Sequence, residues 1–233
     1  MSYISKKHKL IFLSPPKTGS TSLKWCLISS KILCDSIIET PNHPTKHILL
    51  SEILKAYDIK IDELNQYKII QITRNPYDRF VSAVYHQNIR TKKNYTVSEY
   101  LEKLNKYFYL LPNNEDLFYE KFYTIPSHKV NELNNIERGD SLFWFKQEWW
   151  NDVGADINYF RLESITENLG ELSEFINIKL FDFQHARPEE SNRNNKYEKY
   201  FDETTRINFE KLYISDIEKF NYQFYNPLSK TLI

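Results

Sequence analysis

The sequence predicts an α/β fold in which a central parallel β-sheet is flanked by α-helices. Two continuous apolar runs, Lys9–Ser14 and "YKIIQIT" at Tyr67–Thr73, have the length and unbroken hydrophobicity of strands buried on both faces. Each gives way to apolar residues at helical spacing, and this strand–helix alternation is the pattern of a parallel sheet covered by helices. "DINYFRLES" supplies a third strand.

The elements follow in order. After the first strand, Leu23, Cys26, Leu27, Ser30 and Leu33 keep a helical period from Ser20 to Cys34. Two prolines in "ETPNHPTKHI" break that helix into a loop, and Ser51–Tyr57 reads as a short helix. Beyond the second strand, Asn75 caps a helix with Pro76 in its first position, running to about Arg90 and burying Phe80, Val81, Val84 and Tyr85. Val97–Tyr107 is a further helix. After the third strand, Ser164 and Glu167 form the pattern of a capping box for a helix over Ile165–Ile176. Thr204–Phe220 closes with a stripe of Phe209, Leu212, Tyr213, Ile217 and Phe220.

The chain of 233 residues suits one domain over 1–233, with no repeat and no linker to divide it. Lys and Arg together number 31, as do Asp and Glu, so the net charge is zero. That balance argues against a nucleic-acid or membrane-surface binder and requires any anion to be held by a local cluster. No apolar stretch reaches the roughly 18–20 residues of a membrane span. Cys26 and Cys34 lie on one predicted helix, about 12 Å apart at ~1.5 Å per residue, too far for a disulfide. A reduced, cytoplasmic setting is expected.

Chemistry concentrates in "LIFLSPPKTGSTSLKW", Leu10–Trp25. A turn from a parallel strand into a helix N-terminus places unpaired backbone N–H groups and the positive end of the helix dipole together. Gly19 permits close backbone approach, Ser20, Thr21 and Ser22 add hydroxyl donors, and Lys17 adds charge. These describe a phosphate cradle of the P-loop type. It is not the triphosphate loop G-x-x-x-x-G-K-[ST], because Lys17 precedes Gly19 and no earlier glycine exists. A small-molecule kinase is therefore the second reading, and a catalytically silent nucleotide-binding module the third. "RNPYDRFVSAVYH" follows the second strand, with Arg74 at the strand end and Ser82 one turn beyond Asp78 and Arg79. An arginine there can grip a separate phosphate with paired donors. Two grips on neighbouring strand ends suit a nucleotide phosphorylated at both ends of its ribose.

"PKTGSTS" and "RNPYDRFVS" resemble the 5′-phosphosulfate loop and the 3′-phosphate motif of the sulfotransferase family, which uses 3′-phosphoadenosine 5′-phosphosulfate (PAPS). "FEKLYISDIEKFNY" is similar to the closing helix of its carbohydrate-type branch, and "RLESI" and "SLFWFKQEWWND" are weaker echoes of that branch. The resemblance implies that Lys17, Thr18, Gly19, Ser20, Thr21 and Ser22 hold the 5′-phosphosulfate, and that Arg74 and Ser82 hold the 3′-phosphate. It implies in-line transfer of a sulfuryl group to a hydroxyl or amine of a small-molecule or saccharide acceptor. Lys17 would steady the leaving group and no metal is needed. His47, in "TKHILLSEIL", is similarly placed to the catalytic histidine of cytosolic members, and histidine suits general-base work near neutral pH. Glu39 and Glu52 are carboxylate alternatives.

Two departures stand out. Ser22 replaces the aromatic residue that stacks on adenine in cytosolic members, and their later R-K-G segment is missing. "ARPEESNRNNKY" stands in its place and offers Arg187, Arg193, Asn194 and Lys196, of which Arg193 is taken as the cofactor contact. The aromatics of "FWFKQEWW" are expected to be core rather than a stacking platform.

Overall fold

The computed structural model describes residues 2–30, 32, 47–109, 143–181, 183 and 196–225. In chain order its elements begin with β1 (Tyr3–Ser5), β2 (Leu10–Leu13), α1 (Ser20–Ser29), α2 (Leu50–Tyr57) and β3 (Lys68–Thr73). They continue with α3 (Pro76–Thr91), α4 (Val97–Tyr109), β4 (Asn158–Arg161), α5 (Leu169–Ile176) and α6 (Glu203–Lys219). Contacts group the chain into two compact units, Met1–Asn75 with Lys146–Arg193, and Pro76–Phe145 with Asn194–Ile233.

The first unit holds the whole sheet, in the order β1-β2-β3-β4. β2 pairs with β3 and β3 with β4 in parallel, as the apolar runs predict. β1 adds an antiparallel edge, with Tyr3 opposite Phe12. Its three residues are too few to show a period, so the sheet is mixed where the sequence suggests a purely parallel one. Leu10, Phe12, Ile70 and Ile72 face Leu23, Cys26, Leu27, Leu172 and Ile176 in one apolar cluster. Ile11, Leu13 and Ile69, pointing to the opposite side by the strand alternation, are buried too, so both faces are covered.

Two boundaries differ from expectation. α1 closes at Ser29, with the Ser30 N–H on the Cys26 carbonyl at 3.0 Å. α5 begins at Leu169 rather than Ile165. Beyond β4 the chain tightens into a 3-10 turn, Leu162–Ser164, and the Ser164 hydroxyl meets the Asn168 side-chain amide at 3.2 Å instead of capping a helix.

The second unit is helical with an aromatic core. Val97, Leu101 and Leu104 recur on one face of α4 and join Tyr77, Phe80, Trp144, Phe201, Phe209 and Tyr213. Tyr77 and Phe209 ring centroids are 4.8 Å apart, and Phe80 and Trp144 5.2 Å. Trp144 and Phe145 are buried here, and Trp150 in the first unit, in keeping with a packing role for "FWFKQEWW". A Thr96–Glu99 capping box opens α4, the Glu99 N–H reaching the threonine hydroxyl at 3.2 Å and the Thr96 N–H reaching the carboxylate at 2.7 Å. Asp202 caps α6 by accepting from the Thr205 N–H at 2.7 Å. Burial, and then the hydrogen bond to Glu210, push the Tyr77 phenol far above its ordinary value; burial does the same to Tyr213. Both phenols are neutral packing residues.

Candidate functional site

The carboxyl tips of the parallel strands in the first unit carry the sequence motifs, and this end of an α/β sheet is where such folds bind ligands. β2 stops at Leu13, and the chain turns through Ser14–Gly19 into α1. Lys17 and Gly19 take left-handed backbone angles, φ 67° and 80°. The buried Thr18 hydroxyl donates to the Pro15 carbonyl at 2.7 Å and braces the turn. The left-handed backbone favours glycine, and a Cβ on Gly19 would lie 2.6 Å from Leu162 Cδ1, so the leucine methyl would have to move aside for any side chain there. The space beside its Cα is taken by Leu162 and Phe183; any contact from Gly19 to an anion is therefore made by its N–H.

Gly19 is the N-cap of α1 and has no side chain with which to close that end; the Leu23 N–H bonds the Gly19 carbonyl at 2.9 Å. The first turn of α1 contains no acidic residue. Every other described α-helix carries one: Glu52, Asp78, Glu99, Glu171 and Glu203. A helix N-terminus of this kind, flanked by Lys17 and three hydroxyl residues, favours a negative ligand.

Arg74 leaves the tip of β3. Leu13 registers with Gln71, so Ile72 and Thr73 carry β3 beyond the end of β2 before the arginine begins. Its half-buried side chain returns to the loop, and Nη1 donates to the Lys17 carbonyl at 3.0 Å. The Lys17 turn and the Arg74 side chain therefore meet at adjacent strand tips within the first unit. Gln147 holds the Arg74 backbone, with Oε1 on the N–H and Nε2 on the carbonyl, each at 2.8 Å. Glu163 accepts from the Asn75 N–H at 2.6 Å. Sequence reasoning did not single out Gln147 or Glu163, although both sit in the two segments that echo the carbohydrate-type branch. A buried amide inside an otherwise aromatic stretch was the available signal.

His47 belongs to the same unit. Its Nδ1 is 2.6 Å from the Ser14 carbonyl, an acceptor only, so Nδ1 carries a proton and donates it to that carbonyl. The buried Ser2 hydroxyl secures both neighbours, donating to the Ile48 carbonyl at 2.9 Å and accepting from the Ser14 N–H at 3.3 Å. Glu52 instead closes the start of α2, its carboxylate on the Leu49 N–H at 2.9 Å. Ser20, Thr21 and Ser22 form the first turn of α1. Ser82 lies buried on α3 in the second unit, and Lys196 is exposed just before the Tyr197–Tyr200 turn there. Glu39, Arg187, Arg193 and Asn194 lie outside the described residues. Among the described residues no cluster of His, Cys, Asp or Glu has the makings of a metal site, and no helix is long and apolar enough to cross a membrane.

Parallel strands whose adjoining tips bring a lysine turn, an acid-free helix N-terminus and an arginine together make an α/β arrangement suited to a negative ligand. A family model described as "Sulfotransferase family" matches residues 1–223, and the chain belongs to the sulfotransferase family. Among solved structures it is similar to a mouse sulfotransferase, SULT7A1, complexed with PAP, at 14% identity and a TM-score of 0.47 over 92% of this chain and 86% of that one. No curated protein matches the sequence.

Proposed function

We propose that the protein transfers a sulfuryl group from PAPS to a hydroxyl or amine of a small-molecule or saccharide acceptor. One observation carries the donor assignment: the Arg74 guanidinium and the Lys17 turn lie together, 3.0 Å apart, at adjoining strand tips. Membership of the sulfotransferase family supports the reaction type.

The donor, when bound, supplies the sulfuryl group and a phosphate leaving group. Lys17 and the first N–H groups of α1 place positive potential where negative charge collects as the leaving group departs, a differential stabilisation of the transition state. The Thr18 hydroxyl is committed to Pro15, so its part is to hold the turn and to present its backbone N–H. Arg74, whose planar fork of N–H donors matches a phosphate, also gives Nη1 to the Lys17 carbonyl. His47, oriented through Nδ1–H on Ser14, takes the acceptor's proton at Nε2. In this proposal residues 1–233 act as one sulfotransferase domain in a cytoplasmic setting, and Arg193 is a further cofactor contact.

The test is PAPS-dependent sulfation of mixed glycan, phenol and small-alcohol pools by the purified protein, read by product mass. A product heavier by one sulfuryl group, lost in Lys17→Ala, is expected. Mg²⁺-dependent ATP hydrolysis, or nucleotide binding without turnover on any pool, would overturn it in favour of a kinase or a silent module respectively.

A further inference from the structure

We infer that Gln147 is the positioning residue that makes Arg74 selective for a nucleotide bearing a 3′-phosphate, an inference that rests on the phosphate-gripping role proposed for Arg74. The ladder between β3 and β4 reaches its last pair at Thr73 and Arg161. One residue further, the Arg74 N–H and carbonyl need partners that no strand supplies. The Gln147 primary amide provides both, accepting at 2.8 Å and donating at 2.8 Å. A side-chain amide paired this way with one residue's backbone fixes its rotation as well as its position.

Gln147 is itself held firmly. It is 0% exposed, and its carbonyl accepts from Gln71 Nε2 at 2.8 Å, which ties it to the centre of the sheet. Glu163 takes the next N–H, that of Asn75. Arg74 is therefore anchored at its backbone from one side and at its guanidinium by the Lys17 carbonyl from the other. A long side chain magnifies any backbone rotation at its tip, and a binding group needs to be held within about 0.5 Å and 10–20°. Glutamine alone combines this reach with one acceptor and one donor. Glutamate lacks the donor, methionine lacks both, and asparagine is shorter.

The experiment compares the dissociation constants of adenosine 3′,5′-bisphosphate and adenosine 5′-monophosphate by calorimetry. The proteins are wild type, Gln147→Met, Arg74→Ala and the double variant. Wild type should favour the bisphosphate and Arg74→Ala should erase that preference. Gln147→Met should reduce it about tenfold and leave monophosphate affinity within about twofold, adding nothing in the Arg74→Ala background. A Gln147→Met protein that keeps the preference, or weakens both nucleotides equally, while Arg74→Ala still erases the preference, overturns the role of Gln147 alone. Wild type and Arg74→Ala binding both nucleotides alike overturns the role of Arg74 and this inference with it. Should Gln147→Met not fold, Gln147→Glu, which keeps only the acceptor, is read the same way, and an unchanged preference there overturns the inference.

Discussion

Arg74 and Arg79 stand in one short motif, yet the two units use them differently. Arg74, in the first unit, is half-buried at a strand tip and donates to the Lys17 carbonyl of a turn whose helix starts without an acid. Arg79, in the second, is 2% exposed and gives its Nη2 to the Phe143 and Phe145 carbonyls at 3.3 and 2.7 Å. The Tyr213 hydroxyl takes the carbonyl between them, that of Trp144, at 2.7 Å. What an arginine does is thus decided by its neighbours: Arg79 satisfies carbonyls of a buried segment, whereas Arg74 joins the turn proposed to hold an anion. The contrast predicts that charge removal in the first unit harms ligand chemistry, and in the second harms stability.

Lys17→Ala is the largest expected effect. Losing the cation at the leaving oxygen should lower turnover by about 10²–10³ with the unfolding midpoint nearly unchanged. Labelled-sulfate transfer beside a urea melt checks both, and a wild-type rate would remove Lys17 from the chemistry. Arg79→Ala comes next and reverses the pattern. It strands the two carbonyls, at a cost of about 3 kcal/mol in the urea midpoint, and any loss of rate should track loss of folded protein. A stable Arg79→Ala enzyme with weakened nucleotide binding would break the distinction between the two arginines.

The sequence made the strands β2 and β3 legible because unbroken apolar runs announce burial on both faces, whereas β4, in "DINYFRLES", has only Phe160 buried. The helices α1 and α3 were legible from their starts, a glycine turn in one case and Asn-Pro in the other. Lys17 and Arg74 were legible because charge at a strand's end has few structural uses. β1 escaped because three residues show no period. The start of α5 was misjudged because Ser164 and Glu167 match a capping box in type, while the structure spends the Ser164 hydroxyl on Asn168 and forms its box at Thr96 and Glu99 instead. Gln147 was hidden among aromatics since its contact to Arg74 spans 73 positions, and local patterning carries no information on such a pair.

Smaller effects sharpen the comparison. Arg74→Ala should weaken adenosine 3′,5′-bisphosphate by about 10–100-fold, the worth of charge-assisted hydrogen bonds, and barely move the urea midpoint. Gly19→Ala forces a side chain into φ 80° against Leu162, so it should cost about 1–2 kcal/mol and disturb the turn that Lys17 needs. Isothermal titration and thermal melts would show both losses in Gly19→Ala but only the first in Arg74→Ala. Equal stability losses in the two would mean that the guanidinium, like that of Arg79, is chiefly a structural strut.

The smallest effect concerns the two helix starts themselves. α1 has no acid of its own, whereas α6 is closed by the Asp202 carboxylate on the Thr205 N–H, and that hydrogen bond holds the carboxyl below its ordinary value. Near neutral pH Asp202 is ionised in both folded and unfolded chains, and its contribution is complete. As pH falls, the unfolded chain takes up the proton first, so the contribution shrinks through the ordinary carboxylate range and is gone below the depressed folded value. Asp202→Asn keeps an acceptor but does not titrate. The thermal midpoint of wild type should therefore exceed that of Asp202→Asn at pH 7 by a margin that narrows steadily toward pH 3. An acid-independent margin would mean that the helix start gains nothing from the charge, and that the lack of acid at α1 is no sign of a site kept for an anion.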